Sequence, residues 1–107
     1  MIDTDDVKGL LLVTFGLGGA WYGIEASQVQ EVILVGDNTI VYHAPAYVRG
    51  IINLRGKIVT VVDLGIKLGL SAIKLGEDSR IIIVEWNHEQ VGLLVVEVAE
   101  VINLDKI

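Results

Sequence analysis

The sequence predicts an all-β fold, a small barrel or sandwich built from short strands. Three observations carry that expectation. Hydrophobic residues make up 52% of the 107-residue chain and aromatic residues only 6%, so Val, Ile and Leu must fill the core. Such β-branched abundance favours pleated strands. Short apolar runs recur along the chain, separated by Gly, Asn and Asp clusters that read as turns. A unit also repeats: Tyr22-Gly23-Ile24 aligns with Val91-Gly92-Leu93, and the same shift of 69 residues lays Val29-Gln30-Glu31-Val32-Ile33 on Val98-Ala99-Glu100-Val101-Ile102, with four of these five residues identical.

Taken in order, residues 8–15 form a near-continuous apolar run, as a buried strand requires. Gly16-Leu17-Gly18-Gly19 breaks it, and residues 20–24 read as the return strand of a hairpin. Ser27-Gln28-Val29-Gln30 has the spacing of a capping box, which predicts a helical turn before a strand over 31–35. Gly36-Asp37-Asn38-Thr39 is turn chemistry. Residues 44–50 read as a helical turn, with Pro45 near its start and Gly50 at its end. A hairpin over 50–54 and 57–63 follows, then a short helix over 64–70 and a loop over 71–79. A third hairpin pairs 80–86 with 90–96 across Asn87-His88-Glu89, and 98–104 is the last strand. The chain is expected to be one domain, 1–107, with repeat units over about 10–64 and 80–107. In the second copy, the counterpart of the hairpin at 49–64 would fall past Ile107, so that unit is expected to be incomplete and the domain C-terminally truncated.

Composition excludes several classes of function. The net charge of −6 leaves no basic patch to displace the counterions of a nucleic acid. Zero cysteines exclude disulfides and thiolate metal sites. The lead Met1-Ile2-Asp3-Thr4-Asp5-Asp6 is acidic where a signal peptide is basic, and no apolar run reaches membrane-spanning length, so a cytoplasmic chain without membrane insertion is expected.

No catalytic constellation emerges, and no cofactor or metal is expected. His43 and His88 lack metal-ligand spacing, and both read as loop residues. Ser27, Ser71 and Ser79 have no base nearby in sequence and no nucleophile-elbow signature. Gly16-Leu17-Gly18-Gly19 leads into a strand rather than a helix N-terminus, so it lacks phosphate-loop geometry. Trp21 and Trp86 read as core or rim side chains beside turns, with partner contact as the alternative. Glu31 and Arg55 stand out, since each is a charge embedded in apolar strand sequence. They are either unrelated surface charges or a charge-assisted pair at a barrel rim.

The ordered series Tyr22-Gly23-Ile24, Val29-Gln30-Glu31-Val32, the run from Ala44-Pro45-Ala46-Tyr47-Val48-Arg49 through Gly50-Ile51-Ile52-Asn53-Leu54-Arg55-Gly56-Lys57-Ile58-Val59, and Val61-Val62-Asp63-Leu64 resembles the CheW family. These are adaptor proteins of bacterial chemotaxis, and related domains end the histidine kinase CheA. The resemblance spans about residues 10–104. Thr60 departs from a frequent proline and Gly65 from a frequent basic residue.

The resemblance implies tandem SH3-like barrels with exchanged hairpins and short helical turns. It also implies a scaffold that couples chemoreceptor cytoplasmic tips to CheA and catalyses nothing. Val29, Glu31, Gly50 and Arg55 match the positions that line the receptor-binding groove, with Glu31 and Arg55 as its ion pair. A fragment of a CheA regulatory domain, a small ligand-binding barrel and an enzyme stay open as alternatives, the acidic lead favouring a free adaptor. A barrel short of strands would expose an edge, so a homodimer by edge pairing or domain swapping is expected, unless CheA supplies the cover.

Overall fold

The computed structural model describes residues 11–36 and 46–103, with backbone alone for 100–103. Strands dominate, in the order β1 (Leu11–Leu17), β2 (Ala20–Glu25), β3 (Val29–Leu34), β4 (Val48–Leu54), β5 (Lys57–Asp63), β6 (Arg80–Trp86), β7 (Glu89–Val95) and β8 (Glu97–Asn103). A 3-10 turn at Ala26–Gln28 separates β2 from β3, and one short helix, α1 (Leu64–Lys67), follows β5. The fold is all-β, with two sheets ordered β2-β1-β8 and β3-β6-β7-β5-β4.

The 69-residue repeat is visible in the pairing itself. β1 pairs with β2 through Leu12↔Glu25, Val13↔Ile24, Thr14↔Gly23 and Phe15↔Tyr22. Adding the shift to both members gives Ile81↔Leu94, Ile82↔Leu93, Ile83↔Gly92 and Val84↔Val91, the observed register of β6 with β7. The turns agree as well: Gly18 and Gly19 have φ of 55° and 80°, and Asn87 and His88 have 52° and 66°. Positive φ at both central residues is the turn geometry that matches strand twist in a two-residue hairpin. The third strand of each trio is exchanged between the halves. β3 pairs with β6 through Val29↔Val84 and Ile33↔Ile81, while β8 pairs with β1 through Val98↔Phe15 and Ile102↔Leu12. Each exchanged pairing carries a bulge at the same repeat position.

One apolar core serves both sheets. Phe15 and Leu17 of β1 join Val59, Val61, Ile73, Ile81, Ile82, Ile83, Val84, Leu94 and Val95 in a single cluster. Four consecutive residues of β6, Ile81, Ile82, Ile83 and Val84, are buried, so this strand is covered on both faces.

Several boundaries differ from the sequence expectation. The turn at Ala26–Gln28 has no side-chain cap, and Ser27 Oγ donates to Glu25 Oε2 at 3.4 Å. A three-residue 3-10 turn is too short to place Gln30 as the box requires, and Gln30 belongs to β3. Residues 48–50 are strand rather than helical turn, because Val48 already pairs with Val62. The helix stops at Lys67, before Gly69 turns the chain with φ of 81°. The turn between β6 and β7 has two residues rather than three. His43, Pro45, residues 37–39 of the expected turn, the acidic lead and the end of the last expected strand lie outside the described residues.

Gly65 has a steric reason to replace a larger residue. A Cβ there would lie 2.6 Å from the Ser71 carbonyl oxygen, because the loop after α1 passes directly over it.

Candidate functional site

β3 alternates half-buried and exposed residues. Val29, Glu31 and Ile33 take one face, and Gln30, Val32 and Leu34 take the other. Val29 and Ile33 pack against the core, so Glu31 shares an inward-leaning face with them and its side chain is 29% exposed. Its partner comes from the β4–β5 turn. Arg55 and Gly56 have φ of 51° and 84°, the paired left-handed conformation of a tight hairpin. Asn53 Oδ1 accepts from the Gly56 N–H at 2.8 Å and braces the turn. Arg55 at its tip donates from Nη1 to Glu31 Oε1 at 3.0 Å and Oε2 at 3.1 Å.

Gly50 is buried in β4, opposite Val61 and just past a bulge. Tracing partners across the sheet, Glu31, Ile83, Gly92, Val61 and Gly50 form one continuous row. The structure therefore places Glu31 and Gly50 on one transverse line, and joins Glu31 to Arg55 directly. Val29 stands one strand step before Glu31 on the same face and serves packing. Val32 and Leu34 on β3 and Ile58 on β5 remain exposed, which leaves apolar area on the strands that carry the pair.

A second ion pair was not singled out from the sequence. Arg49 Nη1 donates to Asp63 Oδ2 at 3.0 Å and to the Ile73 carbonyl at 3.2 Å. The Asp63 side chain is fully buried, and it also accepts from the N–H of Ile73 and of Ile66, each at 3.0 Å. It thus caps α1, fixes the following loop and neutralises Arg49. The signal was present: an Asp at the end of an apolar strand, immediately before a helix, is N-cap chemistry.

Polar contacts also cross β3, β6 and β7. Gln30 Nε2 donates to Glu85 Oε2 at 3.2 Å, and Gln90 Nε2 donates to Gln30 Oε1 at 2.6 Å. An apolar cleft of about 480 Å³ opens among β5, α1 and β7, lined by Val62, Leu64, Trp86, Val91 and Leu93. Trp21 and Trp86 are exposed rather than in the core. Among the described residues, no group of three or more His, Cys, Asp and Glu is placed to hold a metal ion, and no helix is long and apolar enough to cross a membrane.

Comparison with known proteins matches residues 11–106 to the CheW-like domain family. The chain is 31% identical over 99 residues to the chemotaxis protein CheW of Klebsiella aerogenes, an alignment covering 92% of this chain and 60% of that protein. It is 32% identical over 102 residues to the Bacillus subtilis protein of the same name, covering 94% and 65%. The crystal structure of the scaffolding protein TtCheW from Thermoanaerobacter tengcongensis superposes with a TM-score of 0.86 at 40% identity, covering 92% of this chain and 67% of that one. The chain spans about three fifths of the length of the curated relatives it matches.

Proposed function

The chain belongs to the CheW-like domain family, and from that premise we propose that it acts as a non-catalytic chemotaxis adaptor between chemoreceptor cytoplasmic tips and the histidine kinase CheA. The observation that carries this reading is the Arg55–Glu31 pair, which ties the β4–β5 turn to β3, while the other face of β3 exposes Val32 and Leu34 and β5 exposes Ile58. A receptor tip is a helical hairpin. Helix-in-groove recognition uses apolar strand residues for contact area and charges for register, and β3 with the β4–β5 hairpin carries residues of both kinds. Val29, Glu31, Gly50 and Arg55 form the receptor side of the adaptor, and the regulatory domain of CheA is the second partner. The working place is the cytoplasm, where both partners present these surfaces.

Separate calorimetric titrations with a receptor-tip hairpin and with the CheA regulatory domain test the proposal. Saturable binding of both is expected, and binding of neither overturns it. Homodimerisation is a competing use of the molecule, favoured by one observation: among the described residues β2 is an edge strand, with Trp21 and Tyr22 exposed.

A further inference from the structure

Among the described residues, three two-residue turns close hairpins, and one of them breaks the local rule. Gly18-Gly19, Arg55-Gly56 and Asn87-His88 follow the last strand pairs Leu17↔Ala20, Leu54↔Lys57 and Trp86↔Glu89, and all six residues have positive φ. In two of these turns the first position is held by Gly18 or Asn87, residue types that enter the left-handed region readily. In the third it is held by Arg55, whose side chain disfavours that region. A side chain that defies turn chemistry at a binding surface is expected to serve that surface. Here it supplies reach: Arg55 Nη1 stands 3.0 Å and 3.1 Å from the two Glu31 oxygens, although β4 and β3 do not pair. Neither Gly nor Asn carries a guanidinium.

Asn53 offsets the strain. Strand pairing ends at Leu54↔Lys57, so the Gly56 N–H lies within the turn. Asn53 Oδ1 accepts from it at 2.8 Å, a bond that closes the backbone around Leu54 and Arg55. Asn and Asp side chains stabilise turns in this way. Asn53 is exposed, so water can satisfy both groups and burial does not demand the bond. Its consequence is geometric, because it narrows the conformations open to the arginine it encloses. We infer that Asn53 is a positioning residue for the receptor surface: it holds the Arg55-Gly56 turn left-handed, aims the Arg55 guanidinium at Glu31, and acts on receptor binding only through Arg55. The partner in this inference rests on the adaptor reading above, whereas the effect on the ion pair does not.

The test uses the full chain carrying Asn53→Ala, or Asn53→Asp, which keeps an acceptor oxygen. In the free protein, rotation about the Arg55 Nε–Cζ bond is followed by NMR exchange measurements and is slowed while Nη1 holds Glu31. It should speed severalfold in Asn53→Ala, as in Glu31→Ala, and stay slow in Asn53→Asp. Receptor-tip affinity by calorimetry should fall about fivefold in Asn53→Ala, the scale of one net hydrogen bond, with the urea midpoint nearly unchanged. In an Arg55→Ala background, adding Asn53→Ala should weaken binding no further. The proposal is overturned if Arg55 rotates equally fast in wild type and Asn53→Ala, if Asn53→Asp behaves as Asn53→Ala, or if Asn53→Ala weakens binding equally in both backgrounds. A wild-type chain that binds no receptor tip refutes the adaptor reading instead, and the Arg55 rotation rates then decide the role of Asn53 by themselves.

Discussion

Arg55 and Glu31 touch at 3.0 Å although they stand at opposite sides of a five-stranded sheet. Glu31 lies on the edge strand β3, and Arg55 sits at the turn of the β4–β5 hairpin on the far side, five residues along the chain from Gly50, which shares Glu31's transverse row. A flat sheet would hold their backbones more than about 20 Å apart, given strand spacings near 4.8 Å and a rise near 3.3 Å per residue. The contact requires the sheet to curl and its strands to tilt, as in a small barrel. β3 and β4 are the outer strands and do not pair, so this ion pair bridges the barrel's seam with side chains.

That placement separates recognition from stability. Arg55 is 68% exposed, and an exposed pair contributes roughly 0–1 kcal/mol. Arg55→Ala and Glu31→Ala should each lower stability by no more than about 1 kcal/mol in urea denaturation. Both should weaken receptor-tip binding about tenfold by calorimetry. The double variant should bind no more weakly than either single one, the signature of coupled residues.

Asp63 should behave in the opposite way. Its buried carboxylate holds Arg49, the cap of α1 and the Ile73 N–H together. Asp63→Ala leaves these donors unsatisfied and should cost about 2–4 kcal/mol of folding stability. Urea denaturation checks this, and the loss should exceed that of Arg55→Ala severalfold.

The two repeat-related glycines give a matched pair. Gly92→Ala places a Cβ 2.8 Å from Ile81 Cγ2 inside the core and should destabilise by about 1–3 kcal/mol. Gly23→Ala meets Leu12 Cδ1 at 3.4 Å on an exposed strand and should stay within about 0.5 kcal/mol. Equal losses would show that the two sheets are equivalently covered.

Much of this was legible in the sequence because its signals were local. Turn glycines, β-branched runs and the repeated Val-x-Glu-Val-Ile motif located the strands and their duplication. Glu31 and Arg55 drew attention as charges inside apolar runs. Asp63 did so less, because its role depends on Arg49 and on Ile73, ten residues further along, converging after folding. The helical turn expected before Gly50 failed because Val48 finds Val62 across the hairpin, and a tertiary pairing outweighs a Pro-to-Gly spacing. The capping-box reading failed similarly, since Gln30 is drawn into the polar contacts across β3, β6 and β7.

Metal content gives an independent check on the proposed adaptor-only role. With no three-ligand cluster among the described residues, elemental analysis of purified protein should find no stoichiometric transition metal. One equivalent that survives dialysis against chelator would require a different function.

The proposed adaptor role is tested most directly by ternary capture. A receptor-tip hairpin is immobilised, and retention of the CheA regulatory domain is measured with the wild-type chain, with Arg55→Ala, and without the chain. Regulatory-domain retention should depend on the wild-type chain and fall about tenfold with Arg55→Ala, while that variant's direct binding to the regulatory domain is unchanged. Retention that does not depend on the chain, or that Arg55→Ala leaves intact, contradicts the adaptor reading.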